Sequence, residues 1–173
     1  MKHDDHVEIE MKFRIAALAP MAKALSACGF TQEQAQGEES SVLWDRGREL
    51  LGQGCALRLR RYAGRALLTW KGARVADPLM KIRPELETAV ADPIAVEGIL
   101  AALGFQPVFA MVKSRSVWRR GELEACLDQA PFGCYLELEG TPEEIRAAMA
   151  LLELREDQVE TRSYPALFQE LGG

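Results

Sequence analysis

Strict alternation of apolar and charged residues over residues 7–15 is the feature that most constrains this chain. In the stretch VEIEMKFRI every second residue is apolar, and the residues between them are two acids followed by two bases. Side chains on a β-strand point alternately to its two faces, so the pattern predicts a strand with one apolar face and one fully charged face. The sheet that contains this strand must therefore supply partners for a row of charges.

The same design occurs again later in the chain. The first strand precedes a predicted helix at 19–30, and a second charged strand at 79–87 precedes a predicted helix at 92–105. Both helices end in Gly-Phe, and glycine commonly ends helices. Each helix is followed by a short predicted strand, at 41–44 and at 114–118. A strand–helix–strand–strand unit therefore occurs twice.

The remaining segments complete an α+β protein of about eight strands and four helices. Thr141 and Glu144 form a capping-box pattern that predicts the start of the third helix. Two related antiparallel halves favour a closed sheet, and without a Pro/Gly/Ser-rich linker we expect one domain over residues 1–173, with 1–6 as a flexible tail. The other predicted elements are strands at 55–62, 65–71, 123–128 and 133–139 and helices at 141–155 and 164–171.

Composition limits the choice of cellular compartment and of binding partners. The formal net charge of −5 argues against general adhesion to nucleic acid or anionic membranes. Four cysteines without a C-x-x-C pair argue against a zinc ribbon and, in a reducing compartment, against disulfides. With no apolar stretch long enough for export or for a membrane span, we expect a cytoplasmic protein.

The alternation rule places many charges on one face of the predicted sheet. A solvated face explains any single strand, but it explains less well why like charges stand next to one another, since they repel without a counter-charge. The alternative is a barrel with this face inward. The residues concerned are Lys12, Arg58, Arg60, Lys71, Lys81, Arg83, Lys113 and Arg115, with Glu8, Glu10, Glu85, Glu87, Asp128, Glu137 and Glu139.

A barrel interior with these charges suits one kind of ligand. The bases call for a polyanion of several charges. The carboxylates call for a divalent cation, because hard oxygen ligands suit Mg²⁺ or Mn²⁺. A metal-bound triphosphate satisfies both requirements.

Several short motifs resemble one known family. Residues 8–12, EIEMK, resemble the E-x-E-x-K signature of the CYTH superfamily, the triphosphate tunnel metalloenzymes, which includes class IV adenylyl cyclases, thiamine triphosphatases and inorganic triphosphatases. The chain is most similar to the bacterial class IV adenylyl cyclase-like branch, through AALGFQPVF at 101–109 and RSYPAL at 162–167. Further motifs follow in the family's order: ALRLRR (56–61), TWK (69–71), RPELE (83–87), KSR (113–115), CLD (126–128) and YLELEG (135–140).

The resemblance implies an eight-stranded antiparallel β-barrel, the triphosphate tunnel, with helices packed outside. It implies catalytic roles for Glu8, Glu10 and Lys12, and supporting roles for Glu85 and Glu87. The implied triphosphate ligands are Lys12, Arg58, Arg60, Lys71, Arg83, Lys113 and Arg115. The implied metal ligands are Glu137, Glu139, Asp128, Glu8 and Glu10.

We therefore expect Mg²⁺- or Mn²⁺-dependent hydrolysis of an inorganic, nucleoside or thiamine-type triphosphate. The alternative is cyclisation of ATP to cyclic AMP and pyrophosphate, in which the ribose 3′-hydroxyl attacks instead of water. A second alternative is a non-catalytic module that binds polyphosphate or RNA through a basic stripe; the paired carboxylates count against it. The expected partner is a small triphosphate rather than nucleic acid or membrane, and the sequence leaves a homodimer open.

Overall fold

The computed structural model describes residues 7–170, so the tail predicted at 1–6 lies outside the described residues. A single 3₁₀ turn in this part of the chain covers Glu156–Gln158. The strands and α-helices of the described residues are β1 Val7–Ile15, α1 Leu18–Ala27, β2 Thr31–Asp45, α2 Glu49–Gly52, β3 Ala56–Tyr62, β4 Arg65–Lys71, β5 Lys81–Val90, α3 Pro93–Ala102, β6 Gln106–Arg120, β7 Leu123–Ala130, β8 Gly133–Glu139, α4 Pro142–Leu151 and α5 Tyr164–Glu170.

The eight strands form a closed barrel. Their hydrogen-bonded order is β1-β5-β4-β3-β2-β6-β7-β8, and the neighbours β1 and β8, β2 and β3, β3 and β4, β4 and β5, β6 and β7, and β7 and β8 are antiparallel. This confirms the predicted fold class. Apart from the short α2 between β2 and β3, the element order also repeats as predicted, because β1-α1-β2-β3-β4 is followed by β5-α3-β6-β7-β8.

Two strands are much longer than the sequence predicts. β2 and β6 have 15 residues each and begin at Thr31 and Gln106. The part of β2 before the predicted start at 41 reads TQEQAQGEES, which lacks apolar alternation, so no local signal marks it as a strand. The structure also adds α2 and the 3₁₀ turn, and it ends α4 at Leu151, four residues short of the predicted boundary at 155.

The helix boundaries follow local chemistry. The Asp92 side chain accepts hydrogen bonds from two backbone amides at the start of α3. Thr141 and Glu144 form the predicted capping box at the start of α4. Gly29 and Gly104 follow α1 and α3 with φ of 83° and 85°, a conformation that glycine adopts without a steric cost.

The described residues divide into two compact units, each of which draws on both halves of the repeat. Unit 1 comprises Val7, Glu38–Val75 and Arg83–Val112. Unit 2 comprises Glu8–Gly37, Ala76–Ile82 and the chain from Lys113 onward. Unit 1 therefore contains α3 with β3 and β4, and unit 2 contains α1 with β7, β8 and α4.

Unit 2 has a large apolar core on one side of its strands. Met11 and Phe13 of β1 are almost completely buried there, together with Leu25 of α1 and Ile145 and Ala148 of α4. Two helices thus cover the apolar face of these strands, and the charged residues of β1 lie on the opposite face.

Unit 1 has a smaller core. Trp44, Leu59 and Leu100 are its buried members, and α3 supplies Leu100. Next to Trp44, the Asp45 carboxylate accepts hydrogen bonds from the backbone amides of Arg46, Leu50 and Leu51 and so fixes the turn into α2.

Two further observations concern membranes and thiols. None of the helices in the described residues is both long and apolar enough to cross a membrane. All four cysteines are free thiols, and Cys126 is the buried one.

Candidate functional site

Three of the four charged side chains of β1 are buried rather than solvated, and the fourth, Arg14, is exposed. Glu8 and Glu10 are each 8% exposed and Lys12 is 1% exposed, while Met11 and Phe13 on the opposite face are buried as well. Burying a charge is costly unless it is paired and hydrogen-bonded. A solvated sheet face therefore does not describe this strand, and its buried charges need partners inside unit 2.

Asp128 on β7 is the centre of the densest group of such partners. Arg115 on β6 donates two hydrogen bonds to Asp128, from Nε to Oδ1 and from Nη2 to Oδ2, both 2.6 Å. Lys113 Nζ donates to Oδ2 at 2.8 Å and the Tyr164 hydroxyl donates to Oδ2 at 2.6 Å. The two bases alternate on β6, and register places Arg115 directly opposite Asp128. This arrangement holds two cations side by side on one face of the strand.

Two more acids of unit 2 are paired with bases. Lys81 Nζ contacts Glu10 Oε1 at 2.7 Å, and Arg115 Nη2 forms a short contact with Glu137 Oε2. Register places Lys12 of β1 opposite Glu137 of β8. Each of the acids Glu10, Asp128 and Glu137 therefore has a base close by.

The C-terminal segment closes over Lys12. Lys12 Nζ donates to the carbonyl of Arg162 at 2.7 Å, and the Lys12 carbonyl accepts from the Glu160 amide at 2.8 Å. The ring of Tyr164 lies 4.2 Å from Lys12 Nζ and 4.7 Å from Lys113 Nζ, within range of cation–π attraction. The segment thus fixes the positions of two bases at once.

The environment shifts the pKa values of this group. Burial lowers the pKa of Lys12 to about 7, and the positive charge of Lys81 lowers it too. Burial also disfavours the charged form of Lys81, but the carboxylates of Glu10 and Glu137 raise its pKa above the ordinary value. Burial would raise the pKa of Glu137, yet Arg115 and the neighbouring lysines hold it well below its usual range.

Tyr164 stays protonated for a similar reason. Its pKa lies well above the ordinary value because the phenol is buried, and because Glu137 and Asp128 are negative charges close by. The hydroxyl therefore acts as a hydrogen-bond donor to Asp128 at any physiological pH.

Unit 1 holds a second charged group on β3, β4 and β5. Lys71 Nζ lies 2.5 Å from Glu85 Oε2. Glu87 Oε2 accepts from Thr69 Oγ1 at 2.6 Å and lies 3.2 Å from Arg60 Nη2. Arg58 Nη2 lies 3.7 Å from the same oxygen. The predicted residues Arg58, Arg60 and Glu87 thus come together in one group, and Lys71 and Glu85 form a separate pair.

An additional acid in unit 1 was missed by the sequence prediction. Glu39 on β2 is 1% exposed, and its Oε2 lies 3.8 Å from Arg60 Nη1. Glu39 was missed because the predicted strand began at 41, although it stands two residues before Ser41 on the same face. The Nε–H of Arg60 is buried without a hydrogen-bond acceptor among the described residues, so an oxygen acceptor such as phosphate fits there.

The predicted metal ligands are the carboxylates of β1, β7 and β8. Strand register places Glu10 of β1 opposite Glu139 of β8. At the equivalent position of the repeat, in unit 1, Lys71 of β4 lies opposite Glu85 of β5. Two acids facing each other suit a cation between them. Within the described residues no group of three or more Asp, Glu, His or Cys side chains is placed to hold a metal. The donor set therefore fits a Mg²⁺-like ion that takes one or two carboxylates and completes its shell with phosphate and water.

Two predicted residues are less buried than the bases Lys113 and Arg115. Glu139 is exposed, and Arg83 on β5 is partly buried. Tyr164 and Glu160 were not predicted as site residues. The motif RSYPAL at 162–167 contained Tyr164, but its long-range contact with β7 has no local signal.

The fold and these side chains together define a class of protein: a closed antiparallel β-barrel whose strands bury acids and bases on one face. The CYTH domain family model matches residues 6–164. The chain belongs to the CYTH domain family.

Individual relatives agree with this assignment. A Methanocaldococcus jannaschii protein named "Putative adenylate cyclase" is 28% identical over 148 residues, which cover 85% of this chain and 84% of that protein. A solved structure named as a "putative adenylate cyclase" of Vibrio parahaemolyticus is 23% identical, with a TM-score of 0.85 over 95% of this chain and 98% of that one. A solved Hippeastrum protein, described as a "putative adenylyl cyclase" with a dominant triphosphatase activity, is 19% identical, with a TM-score of 0.72 over 94% and 95% of the two chains. The two structures share the fold of this chain.

Proposed function

We propose that this protein is a divalent-metal-dependent enzyme that cleaves a phosphoanhydride bond of a small triphosphate, and that hydrolysis is the reaction. The observation that carries the proposal is the buried group of opposite charges in unit 2. Lys12, Lys113 and Arg115 are nearly shielded from solvent together with Glu10 and Asp128. Shielding strengthens each electrostatic interaction with a polyanion, and fixed cations need no reorganisation during the reaction.

The bases are assigned to the phosphate groups. Lys113 and Arg115 are held side by side by Asp128, so their donors are oriented before a ligand arrives. Lys12, with a pKa of about 7, gains a full charge when a phosphate stands beside it, because a nearby anion favours the protonated form. Arg58, Arg60, Lys71 and Arg83 are assigned to the triphosphate through the family resemblance.

The acids are assigned to the metal and to the attacking oxygen. Glu10, Glu137 and Glu139 would hold Mg²⁺ or Mn²⁺, with Glu8 and Asp128 as the remaining predicted ligands. When bound, the ion would neutralise the charge that develops on the phosphate oxygens. Glu8 and Glu10 orient the attacking oxygen. Glu85 and Glu87 keep the bases of unit 1 in place through their ion pairs.

Cyclisation of ATP is the alternative reaction, and the name of the Methanocaldococcus jannaschii relative favours it. Hydrolysis needs only side chains that bind the phosphate groups and the metal, and the charged strand faces supply them. Cyclisation needs in addition a site that orients the ribose 3′-hydroxyl toward the α-phosphorus. The Hippeastrum protein has the same fold and a dominant triphosphatase activity, so the fold alone does not select between the two reactions.

The reaction would take place in the cytoplasm, because four free thiols suit a reducing compartment. The whole chain would act as one domain, since the family match spans residues of both units. The net charge of −5 disfavours nucleic acid and membranes as partners.

The test is a phosphorus NMR time course of the purified protein with ATP and, separately, with inorganic tripolyphosphate, each in Mg²⁺ and in Mn²⁺. We expect orthophosphate as a product, and the faster substrate identifies the preferred triphosphate. Pyrophosphate together with cyclic AMP would replace the hydrolase by the cyclase. No product from either substrate would contradict both enzymes.

Two variants test the assigned acids. Glu10→Gln and Glu137→Gln remove one charge each, and we expect turnover to fall by roughly a hundredfold or more because the metal loses a ligand. Glu33→Gln is the matched control, since Glu33 is an exposed acid paired with Arg119. Near-normal turnover in both site variants would refute the assignment.

A further inference from the structure

Lys81 is a buried base to which the proposed function gives no role. It is 6% exposed, and its Nζ lies 2.7 Å from Oε1 of Glu10. Lysine is almost never buried unless it is paired, and the contact with Glu10 provides that pair. Glu10 is also one of the acids assigned to the divalent metal. The ammonium group of Lys81 therefore stands beside an oxygen that the metal would take.

A second assigned metal ligand attracts the same ammonium group. Glu137 of β8 interacts favourably with the charge of Lys81, although less strongly than Glu10 does. Lys12 is a neighbour as well, and the charges of the two lysines repel each other. Lys81 thus lies where two carboxylates attract a cation and where one further cation is already present.

Lys81 differs from the other base that pairs with a metal ligand. Arg115 contacts Glu137, but two hydrogen bonds to Asp128 fix its guanidinium group. The ammonium group of a lysine is carried by a flexible four-carbon chain and has three donors that rotate. Lys81 can therefore leave Glu10 without breaking a bidentate contact, and its charge then remains available to a phosphate group.

The charges around Glu10 make metal binding depend on the triphosphate. A divalent ion at Glu10 adds two positive charges beside Lys81 and Lys12, and like charges repel more strongly where solvent is excluded. A bound triphosphate places negative charge beside the same lysines and offsets this repulsion. Such a dependence is reciprocal, so each ligand strengthens the binding of the other.

We propose that Lys81 competes with the divalent metal for Glu10 and so keeps metal affinity low until a triphosphate binds. This inference rests on the proposed function, because it takes Glu10 as a metal ligand. It gives Lys81 a role in the order of binding rather than in the chemical step.

Mn²⁺ binding to the full chain, without any triphosphate, tests the competition. Electron paramagnetic resonance measures free Mn²⁺ during the titration. Lys81→Gln removes the charge but keeps a hydrogen-bond donor for Glu10. We expect it to raise the affinity for Mn²⁺ by about tenfold or more, within the usual range of coupling between two sites. The sign of the change is informative, because loss of a purely structural contact would lower the affinity.

Three further variants serve as controls. Lys81→Arg keeps the positive charge, and we expect it to bind Mn²⁺ as the wild type does. Lys23→Gln removes a positive charge from an exposed position on α1 and measures the effect of net charge alone. The double variant Lys81→Gln/Glu10→Gln lacks the carboxylate for which Lys81 competes, so the gain in affinity should disappear.

Circular dichroism of each variant confirms that the fold is retained, and Lys81→Met is a second neutral variant if the glutamine variant does not fold. The inference is overturned if neutral variants at position 81 bind Mn²⁺ no more tightly than the wild type. It is equally overturned if Lys23→Gln gives the same gain, or if the gain persists in the double variant. Triphosphate turnover by the wild type, together with unchanged Mn²⁺ affinity in the Lys81 variants, would refute the role of Lys81 and leave the proposed function intact.

Discussion

Single residues of this protein are kept in place by charge pairs that are largely closed to solvent. Asp128 has no exposed surface and is held by Arg115, Lys113 and Tyr164. Removing one partner of a buried pair strands the other charge and costs about 3–5 kcal/mol. These pairs therefore constrain the sequence more strongly than an equal number of surface ion pairs would.

The contribution of the Tyr164 hydroxyl to stability can be tested separately from that of its ring. Tyr164→Phe removes the donor to Asp128 but keeps the ring beside Lys12 and Lys113. We expect the free energy of unfolding to fall by about 1.5–3 kcal/mol, the usual contribution of a hydrogen bond to a charged group, as measured by urea denaturation. Tyr135→Phe is the control, because its hydroxyl accepts from the exposed Arg14 at 3.1 Å and matters less. Equal losses in the two variants would contradict the role of Tyr164.

Glu160 gives a prediction about pH. Hydrogen bonds from Arg162, including Nε to Oε1 at 2.7 Å, lower the pKa of Glu160 in the folded state. A carboxylate of this kind adds stability above its unfolded pKa of about 4.3 and loses it as the pH falls through the lower folded pKa. We expect Glu160→Gln to be less stable by about 1 kcal/mol at neutral pH, with the difference vanishing in acid, as followed by urea denaturation across pH.

The control for this prediction is Glu170→Gln. Glu170 also pairs with Arg162, but its side chain is 58% exposed, and exposed pairs contribute little. A stability difference between Glu160→Gln and wild type that does not change with pH would contradict the assigned cause.

Secondary-structure elements of this protein owe their boundaries to a few terminal residues. The third predicted helix illustrates this, because the Thr141–Glu144 capping box and Pro142 at the first helical position mark its start in both sequence and structure. The strands differ from the helices in this respect. β2 extends to Thr31 through pairing rather than through any signal of its own.

The capping box provides a prediction for α4. Thr141→Ala removes the acceptor for the Glu144 amide, and we expect a loss of about 1 kcal/mol in the free energy of unfolding. Thr141→Ser keeps the hydroxyl and should retain most of the stability. Thermal and urea denaturation of the two variants measure the difference, and an alanine variant as stable as the serine variant would be evidence against the cap.

The whole molecule combines a repeated element order with an uneven distribution of charge. Unit 1 places Lys71 opposite Glu85, and unit 2 places Glu139 opposite Glu10 at the equivalent position of the repeat. Two copies of one strand pattern thus carry different chemistry. This difference is the basis for assigning the metal to the acids of unit 2.

Ligand binding should be visible in global stability. At a hundredfold excess over its dissociation constant, a ligand that binds only the folded state adds about 2.7 kcal/mol. We expect tripolyphosphate with Mn²⁺ to raise the melting temperature, EDTA to remove most of the effect, and Glu137→Gln to weaken it. Stabilisation that survives EDTA unchanged would instead favour the non-catalytic polyphosphate-binding module.

The sequence by itself determined the local features of this protein. Alternation on β1 predicted both of its faces, because strand side chains alternate with a period of two whatever the rest of the chain does. Asp92, Thr141 and the Gly-Phe ends marked helix termini for the same reason, since capping bonds span only a few residues. The two antiparallel halves favoured a closed sheet, and the motif order indicated the eight-stranded barrel through resemblance.

Only the tertiary structure decided which charges meet. Lys81 and Glu10 are 71 residues apart in the chain, and Tyr164 and Asp128 are 36 apart. No local pattern specifies such pairs, because any base on a charged strand face is an equally good partner until strand order and register are fixed. Exposure of Ile94, Ile99 and Leu103 on α3 was decided in the same way, since the sequence shows an apolar helix and the fold alone decides which of its side chains the described residues cover.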